Sequence, residues 1–333
     1  MSDTAPTADG TSEGTADTAT RVFLEHRELL FALAYNMLGS VADTEDVLQE
    51  TWLAWAPKNE ALNAERIGSP RAYLVRVAIN KALARQNAIS RRRETYVGPW
   101  LPEPLVTPLD GTLPAGDHDG TEAVERAETV SMALMVVLET LTPLERAVFV
   151  LNEVFGYAHT EIADILERSP AAIRQLAHRA RGHVHARRPR YEVDPRLRRQ
   201  VTERFLTAAF GGDLQELLRL LAPDATLWSD GGGKAPAAGL RPVHGSDKIA
   251  RLLIARASRP PQRVDIRYRR VNGDPSAVVF AGGSPFAVLV LDLTPDGERV
   301  CGVYAVTNPD KLHASLWGDD PPQGPRDRGD LQP

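Results

Sequence analysis

Apolar residues recur at three- and four-residue steps from Phe23 onward. Phe23, Leu30, Leu33, Ala34 and Met37 make one stripe, with His26 on it, and this period predicts an amphipathic helix. Gly39-Ser40 breaks the pattern, and Asp43 or Thr44 is placed to cap a second helix. There Val47, Leu48, Trp52 and Trp55 gather on one side, while Asp46, Gln49, Glu50 and Leu53 share the other. Pro57 is expected to end it. A third helix begins at Ser69-Pro70, serine as cap and proline in the first position, with Tyr73, Leu74, Val77, Ala78 and Leu83 turned inward. Prolines at 99, 102, 104, 108 and 114 then predict a stiff, extended linker over 98–121. Helical pattern returns over 122–141, over 144–154 behind a Thr142-Pro143 cap, and in two short helices near 160–167 and 170–187.

Beyond Pro195 the period changes. Two amphipathic helices, one carrying Val201, Phe205, Ala208 and Ala209 and one carrying Leu214, Leu217, Leu218 and Leu221, precede five strand-like runs. These are 225–228, 264–271, 277–281, 286–293 and 300–307, separated by Gly, Pro, Asn and Asp. Helices followed by antiparallel strands read as a separate α+β domain. The expected organisation is a disordered arm over 1–20, helical domains over 21–97 and 122–190 joined by the linker, an α+β domain over 196–317, and a disordered tail over 318–333.

Charge sharpens this division. Residues 66–93 hold eight basic residues and no acid, whereas 94–167 hold two basic and fourteen acidic residues. Residues 168–199 hold ten arginines against Glu192 and Asp194. Two basic blocks flanking an acidic one point to two separate contacts with a polyanion. No apolar run is long enough to span a membrane, and residues 1–20 lack the basic and apolar segments of a targeting peptide. A cytoplasmic protein is expected. Cys301 is the one cysteine, so no internal disulfide forms. His183 and His185 sit among arginines without a nearby acid, so no metal site and no cofactor are expected.

The segment 160–181 carries the most specific chemistry. Ile162, Ala163 and Leu166 pack one short helix; Ile173 with Leu176 or Ala177 packs the next, which Ser169-Pro170 starts sharply. This is a helix-turn-helix pattern, whose second helix enters the major groove. Arg174, Gln175, His178 and Arg179 fall on its outward face, and Arg and Gln suit base edges because both make bidentate contacts. Arg181, Arg187 and Arg188 suit phosphates.

With these residues on view, the chain resembles the extracytoplasmic-function sigma factors of the sigma-70 family. The resemblance rests on Asp43-Thr-Glu-Asp46-Val-Leu-Gln49-Glu50-Thr-Trp52, on the segment from Ser69-Pro-Arg-Ala-Tyr-Leu74 through Arg76, Asn80 and Lys81 to Leu83, and on the helix-turn-helix, in that order along the chain. It implies an RNA polymerase sigma factor with two all-α domains, region 2 and region 4. Asp46, Gln49, Glu50, Thr51 and Trp52 would meet core RNA polymerase, whose clamp helices and flap are the expected docking points. Arg76, Asn80, Lys81 and Arg85 would melt and read the promoter −10 element, and Arg174, Gln175, His178 and Arg179 the −35 element. The runner-up is a promoter-binding regulator that does not engage polymerase.

The third domain is similar to SnoaL-like domains, α+β cones with a pocket between sheet and helices. A subgroup of these sigma factors carries that extension with three short signatures, all present here: Trp100-Leu101-Pro102-Glu103-Pro104, Asp230-Gly231-Gly232-Gly233-Lys234 and Asn308-Pro309-Asp310-Lys311-Leu312. The resemblance implies a fused regulator replacing a separate anti-sigma factor, with room for a small-molecule ligand. Physically, the proline-flanked Trp100 suits low-entropy docking, the glycines permit close backbone approach, and Lys234 is expected to pair with Glu103. SnoaL-like folds include enzymes, and Asp230, His244 and Asp292 are the candidates for acid–base work. No motif fixes their mutual geometry, so no catalytic residue is assigned and a non-enzymatic protein is expected.

Overall fold

The computed structural model describes residues 11–61, 68–109, 130–187, 193–235, 238–258 and 264–312. Within them the first helix, α1 (Thr11–Leu38), starts well before its apolar stripe. The unstructured arm expected through residue 20 is corrected here: Ala19 is buried, and its carbonyl accepts the Trp55 indole N–H at 3.0 Å. Ser40, not Asp43 or Thr44, caps α2 (Val41–Ala61), its hydroxyl accepting from the Asp43 N–H at 3.3 Å. Pro57 does not end α2. A proline removes one ladder bond, and the turn before it is anchored by the fully buried Trp55. α3 (Pro70–Glu94) begins at the expected cap, with Ser69 Oγ accepting from Ala72 N.

α4 (Met132–Leu138) is followed by α5 (Pro143–Phe149), opened by a reciprocal capping box between Thr142 and Glu145 and continued by a π-helical turn, Val150–Val154. α6 (His159–Leu166) and α7 (Pro170–Arg187) complete the helical part. The tight turn between them rests on Glu167, left-handed at φ 53°, and on the Arg168 N–H donating to the Ala163 carbonyl. Ile162, Ala163, Ile173 and Ala177 fill the contact between the two helices. Helices α1–α3 and the segment from Leu134 to Arg187 form one compact unit, in which α3 packs against α5 and α6.

Among the described residues the second unit combines the linker from Tyr96, Ser131–Ala133 and everything from Val193 onward. Helices α8 (Pro195–Gly211), α9 (Leu214–Leu220) and α10 (Ser246–Ala257) cover one face of a seven-stranded sheet. Its strands are β1 (Val106–Thr107), β2 (Leu221–Asp230), β3 (Val243–His244), β4 (Val264–Val271), β5 (Asp274–Ala281), β6 (Ser284–Leu293) and β7 (Val300–Val306), in the order β1-β4-β5-β6-β7-β2-β3. The five expected strands lie within β2 and β4–β7, apart from Thr307, one residue past the end of β7. The sheet is not wholly antiparallel, because β2 lies parallel to β7. Asn272-Gly273 turns β4 into β5 with both residues at positive φ, 50° and 80°, the conformation that matches strand twist in a two-residue hairpin. Val201, Phe205, Leu217, Ile249, Leu291 and Val303 belong to an apolar core where a ligand-binding cone was expected to have its pocket.

Candidate nucleic-acid interface and linker clasp

On α7 the outward face is as the helical period dictates. Arg174, Gln175, His178 and Arg179 are all exposed, while Ile173, Ala177, Ala180 and Val184 are buried beneath them. Arg179 also bonds Glu145 at 2.9 Å. That hydrogen bond, ahead of the opposing cost of burial, holds the Glu145 carboxyl below its ordinary range. Arg181 is held by Glu153 and by Asn152 at 2.9 Å, which fixes a cation beside the reading face.

Of the residues expected to serve polymerase and the −10 element, Asp46, Glu50, Lys81 and Arg85 meet in one ion-pair cluster between α2 and α3. Arg85 contacts Asp43 at 2.9 Å, Glu50 at 3.4 Å and also Asp46, while Lys81 reaches Glu50 at 3.1 Å. Burial pushes Asp43 upward, but the bonds from Arg85 and Arg92 outweigh it and leave its carboxyl below the ordinary value. Arg76, Asn80 and Gln49 are exposed, and Asp46 and Glu50 keep solvent access. Trp52 is half-buried, edge-on to Phe23 at 5.3 Å. Thr51 is corrected: it is fully buried, its hydroxyl donating to the Val47 carbonyl at 2.7 Å, so it presents nothing to a partner.

In the second unit the three short signatures meet at one carboxylate. Asp230 is fully buried at the end of β2. Its Oδ1 accepts from Tyr96 Oη at 2.5 Å and Gly232 N at 3.2 Å, and its Oδ2 from Leu101 N at 2.9 Å and Lys311 Nζ at 2.7 Å. Four donors occupy the four acceptor positions a carboxylate offers. Lys311 Nζ also donates to the Leu101 carbonyl and lies over the Trp100 ring, 4.2 Å from its centroid. Asn308 caps the short 3-10 turn Pro309–Lys311 through the Asp310 N–H and donates to Tyr96 Oη at 2.8 Å. Burial first, and then the Asp230 carboxylate, push the Tyr96 phenol well above its ordinary value, keeping it a donor.

The glycine run is needed for close approach. Gly232 stands at φ 59°, and a Cβ there would lie 2.4 Å from Asn308 Nδ2; at Gly233, φ 73°, a Cβ would meet Val97 at 3.0 Å. Leu101 through Thr107 are all buried. The segment ends by adding β1 to the sheet edge, where Leu105 N donates to Asn272 Oδ1 at 3.3 Å and Asn272 N to the Leu105 carbonyl at 2.9 Å.

Two expectations fail here. Lys234 does not pair with Glu103; it is exposed and bonds Asp310 at 2.5 and 2.8 Å, because Glu103 is buried with the linker while the lysine points to solvent. The acid–base candidates do not converge. His244, Thr226, Gly302 and Asp292 lie in one row across β3, β2, β7 and β6, so His244 and Asp292 are about 14 Å apart at about 4.8 Å per strand. Asp230 stands four residues further along β2 and is saturated by the linker. Sequence reasoning missed Tyr96 and Asn272, each outside the signatures and each a lone polar residue with no periodic partner.

Family models match over both helical regions: Sigma-70 region 2 over residues 22–93 and Sigma-70 region 4 over residues 131–184. The ECF RNA polymerase sigma factor SigJ of Mycobacterium tuberculosis is 38% identical over 299 residues, 87% of this chain and 91% of that one. The probable ECF RNA polymerase sigma factor SigI of the same organism is 29% identical over 91% of this chain and 98% of its own length. The crystal structure of the M. tuberculosis SigJ matches with a TM-score of 0.67 at 34% identity, covering 88% of this chain and 97% of that chain, so the fold is shared from region 2 into the α+β unit. No helix among the described residues is long and apolar enough to cross a membrane. Sigma factors bind core RNA polymerase and promoter DNA and are not enzymes. By identity, coverage and shared fold, the chain belongs to the extracytoplasmic-function RNA polymerase sigma factors of the sigma-70 family.

Proposed function

We propose that this sigma factor carries its own regulator: the C-terminal α+β unit holds the linker between regions 2 and 4 and so sets promoter competence, in place of a separate anti-sigma factor. The observation that carries this reading is the saturated Asp230 carboxylate, which takes two of its four hydrogen bonds from the linker residues Tyr96 and Leu101. A segment gripped there cannot change its length or direction freely, and it is the covalent connection between the two DNA-reading regions. A coupling of about 1–3 kcal/mol is enough to alter a competent population about 5- to 150-fold. A cleft of about 300 Å³ lined by Val97, Gly233 and Leu240 borders linker and glycine loop together, and a small-molecule ligand would act on the clasp from there.

In the same reading, Asp46, Gln49, Glu50 and Trp52 dock the polymerase clamp helices and region 4 its flap. Arg76, Asn80, Lys81 and Arg85 serve the −10 element, and Arg174, Gln175, His178 and Arg179 the −35 element. The place of action is the cytoplasm. The test is transcription in vitro with core polymerase, comparing the full chain with its Lys311→Ala variant. Output should change several-fold while binding to a −35 duplex stays the same. Equal output from both proteins would leave the third domain without a regulatory role. For the DNA face, Arg174→Ala should cost about 1–3 kcal/mol and relax preference at one or two bases, whereas Arg187→Ala should weaken all sequences alike. Equal shifts from both, at fixed salt, would misplace the reading face.

A further inference from the structure

The linker has a second anchor, outside the three signatures. It is Asn272-Gly273, the turn between β4 and β5 and the one Asn-Gly pair in the sequence. Two-residue hairpin turns favour this pair for its two positive φ angles, and an asparagine serving the backbone alone can face water. Asn272 is instead 3% exposed. Its side-chain carbonyl accepts the Leu105 N–H at 3.3 Å, while its own N–H donates to the Leu105 carbonyl at 2.9 Å. Val106 and Thr107 continue the pairing along β4. The linker therefore occupies the asparagine amide.

The far side of the turn is fixed independently. Arg198 of α8, itself buried, donates to the Leu291 carbonyl at 3.0 Å and lies 3.5 Å from the Asp274 carboxylate. The Ser276 hydroxyl donates to the Asp274 carbonyl at 3.0 Å. These contacts hold the start of β5 without any linker residue. A left-handed backbone is costly for a residue with a Cβ, and a hydrogen bond from a short polar side chain is what lets asparagine adopt it. Asn272 stands at φ 50°, and the linker supplies such a bond. Gly273 has no side chain, and even a Cβ built there meets nothing within 4 Å. Its backbone nitrogen is thus sterically open to the neighbouring amide once that amide is let go.

We propose that Asn272 is a deamidation site gated by the linker: docked, the linker keeps the amide intact, and release exposes it to a one-way conversion. The gating rests on the proposed release of the linker; the reactivity of the Asn-Gly pair does not. The Gly273 nitrogen attacks Asn272 Cγ and forms a C–N bond, closing a succinimide ring. The Cγ–Nδ2 bond breaks, and ammonia leaves with the proton from the Gly273 nitrogen. Water then opens the ring, giving aspartate when it adds at Cγ and isoaspartate when it adds at the main-chain carbonyl. No electrons change hands. Isoaspartate carries an extra methylene along the backbone, so the two-residue turn and its register with the linker are lost. Conversion marks a chain whose linker has been away, and keeps that linker from re-anchoring.

The test follows Asn272 by peptide-mapping mass spectrometry in the full chain, incubated beside two variants of unchanged helicity. Leu105→Pro removes the donor to Asn272 Oδ1, and Lys311→Ala loosens the linker at Asp230. A reaction that needs local opening scales with the opened population, so both variants should convert about tenfold faster than the parent. A parent that converts as fast as the variants, or no conversion in any of the three, overturns the proposal. Fast conversion in Leu105→Pro alone supports the gate and counts against the Asp230 clasp as the point of release. If Leu105→Pro loses its helical signal, Leu105→Ala, which removes only buried packing, takes its place. In the parent, the isoaspartyl fraction separated after long incubation should exchange its Leu105 amide hydrogen about tenfold faster than the unconverted fraction. Equal exchange overturns the loss of re-anchoring.

Discussion

Each of the two units builds an ionic cluster around a fully buried charge, Asp230 in one and Arg146 in the other, and the clusters follow opposite principles. At Asp230 one carboxylate meets one ammonium and three neutral donors, so every lone pair is used and the aromatic ring of Trp100 shields the cation. At Glu139 one carboxylate serves the guanidiniums of Arg93 and the fully buried Arg146, and Arg146 Nη2 has no hydrogen-bond partner among the described residues. A satisfied network makes a permanent joint, since any rearrangement strands a buried charge. An under-satisfied one contributes less and relies on the packing around it. The linker is thus clasped firmly by the unit that would regulate it.

The largest effect should come from the balanced cluster. Asp230→Ala removes the carboxylate that faces the buried Lys311 and that three further donors share, and should lower unfolding stability of the α+β unit by roughly 3–5 kcal/mol in denaturant melts. Glu139→Gln should cost less, about 1–3 kcal/mol, because Glu139 and Arg93 already keep some contact with solvent. If both cost the same, the contrast between the two clusters disappears. Smaller again is Lys234→Met: the Lys234–Asp310 pair is more than half exposed on both sides, so the change should stay within about 1 kcal/mol. A larger loss would return the glycine-loop lysine to the role taken here by Lys311.

The smallest effect concerns pH. Asp43 is held below its ordinary 3.8 by Arg85 and Arg92 despite burial. Its stabilising contribution is therefore complete above that value and lost as pH falls through the depressed one. Asp43→Asn should flatten the acid limb of the stability profile below about pH 4. An unchanged slope would mean that the α2–α3 cluster adds no stability.

Much of this was legible in the sequence, for identifiable reasons. The caps at Ser69 and Thr142, the helix-turn-helix around Ser169-Pro170 and the five strand runs are local features, set by residues a few positions apart. The three signatures announced a meeting point because each pairs unusual residues at fixed spacing. What stayed hidden was non-local. Nothing in the run Thr95-Tyr96-Val97 marks a phenol that will donate across 134 positions to Asp230. Arg146 reads as one more surface arginine until α1 closes over it. Lys234 and Lys311 are equivalent in sequence, and only the burial of Glu103 and Asp230 decides which lysine serves the linker.

The most direct test of the central claim, that the α+β unit governs transcription through its grip on the linker, is a double-mutant cycle. Trp100→Ala and Lys311→Met would be measured singly and together as transcript yield with core RNA polymerase at fixed salt. Because the ammonium lies on the indole and both serve one joint, the double variant should behave like the more severe single one, a coupling of at least fivefold, about 1 kcal/mol. Yields that multiply without coupling would contradict the account.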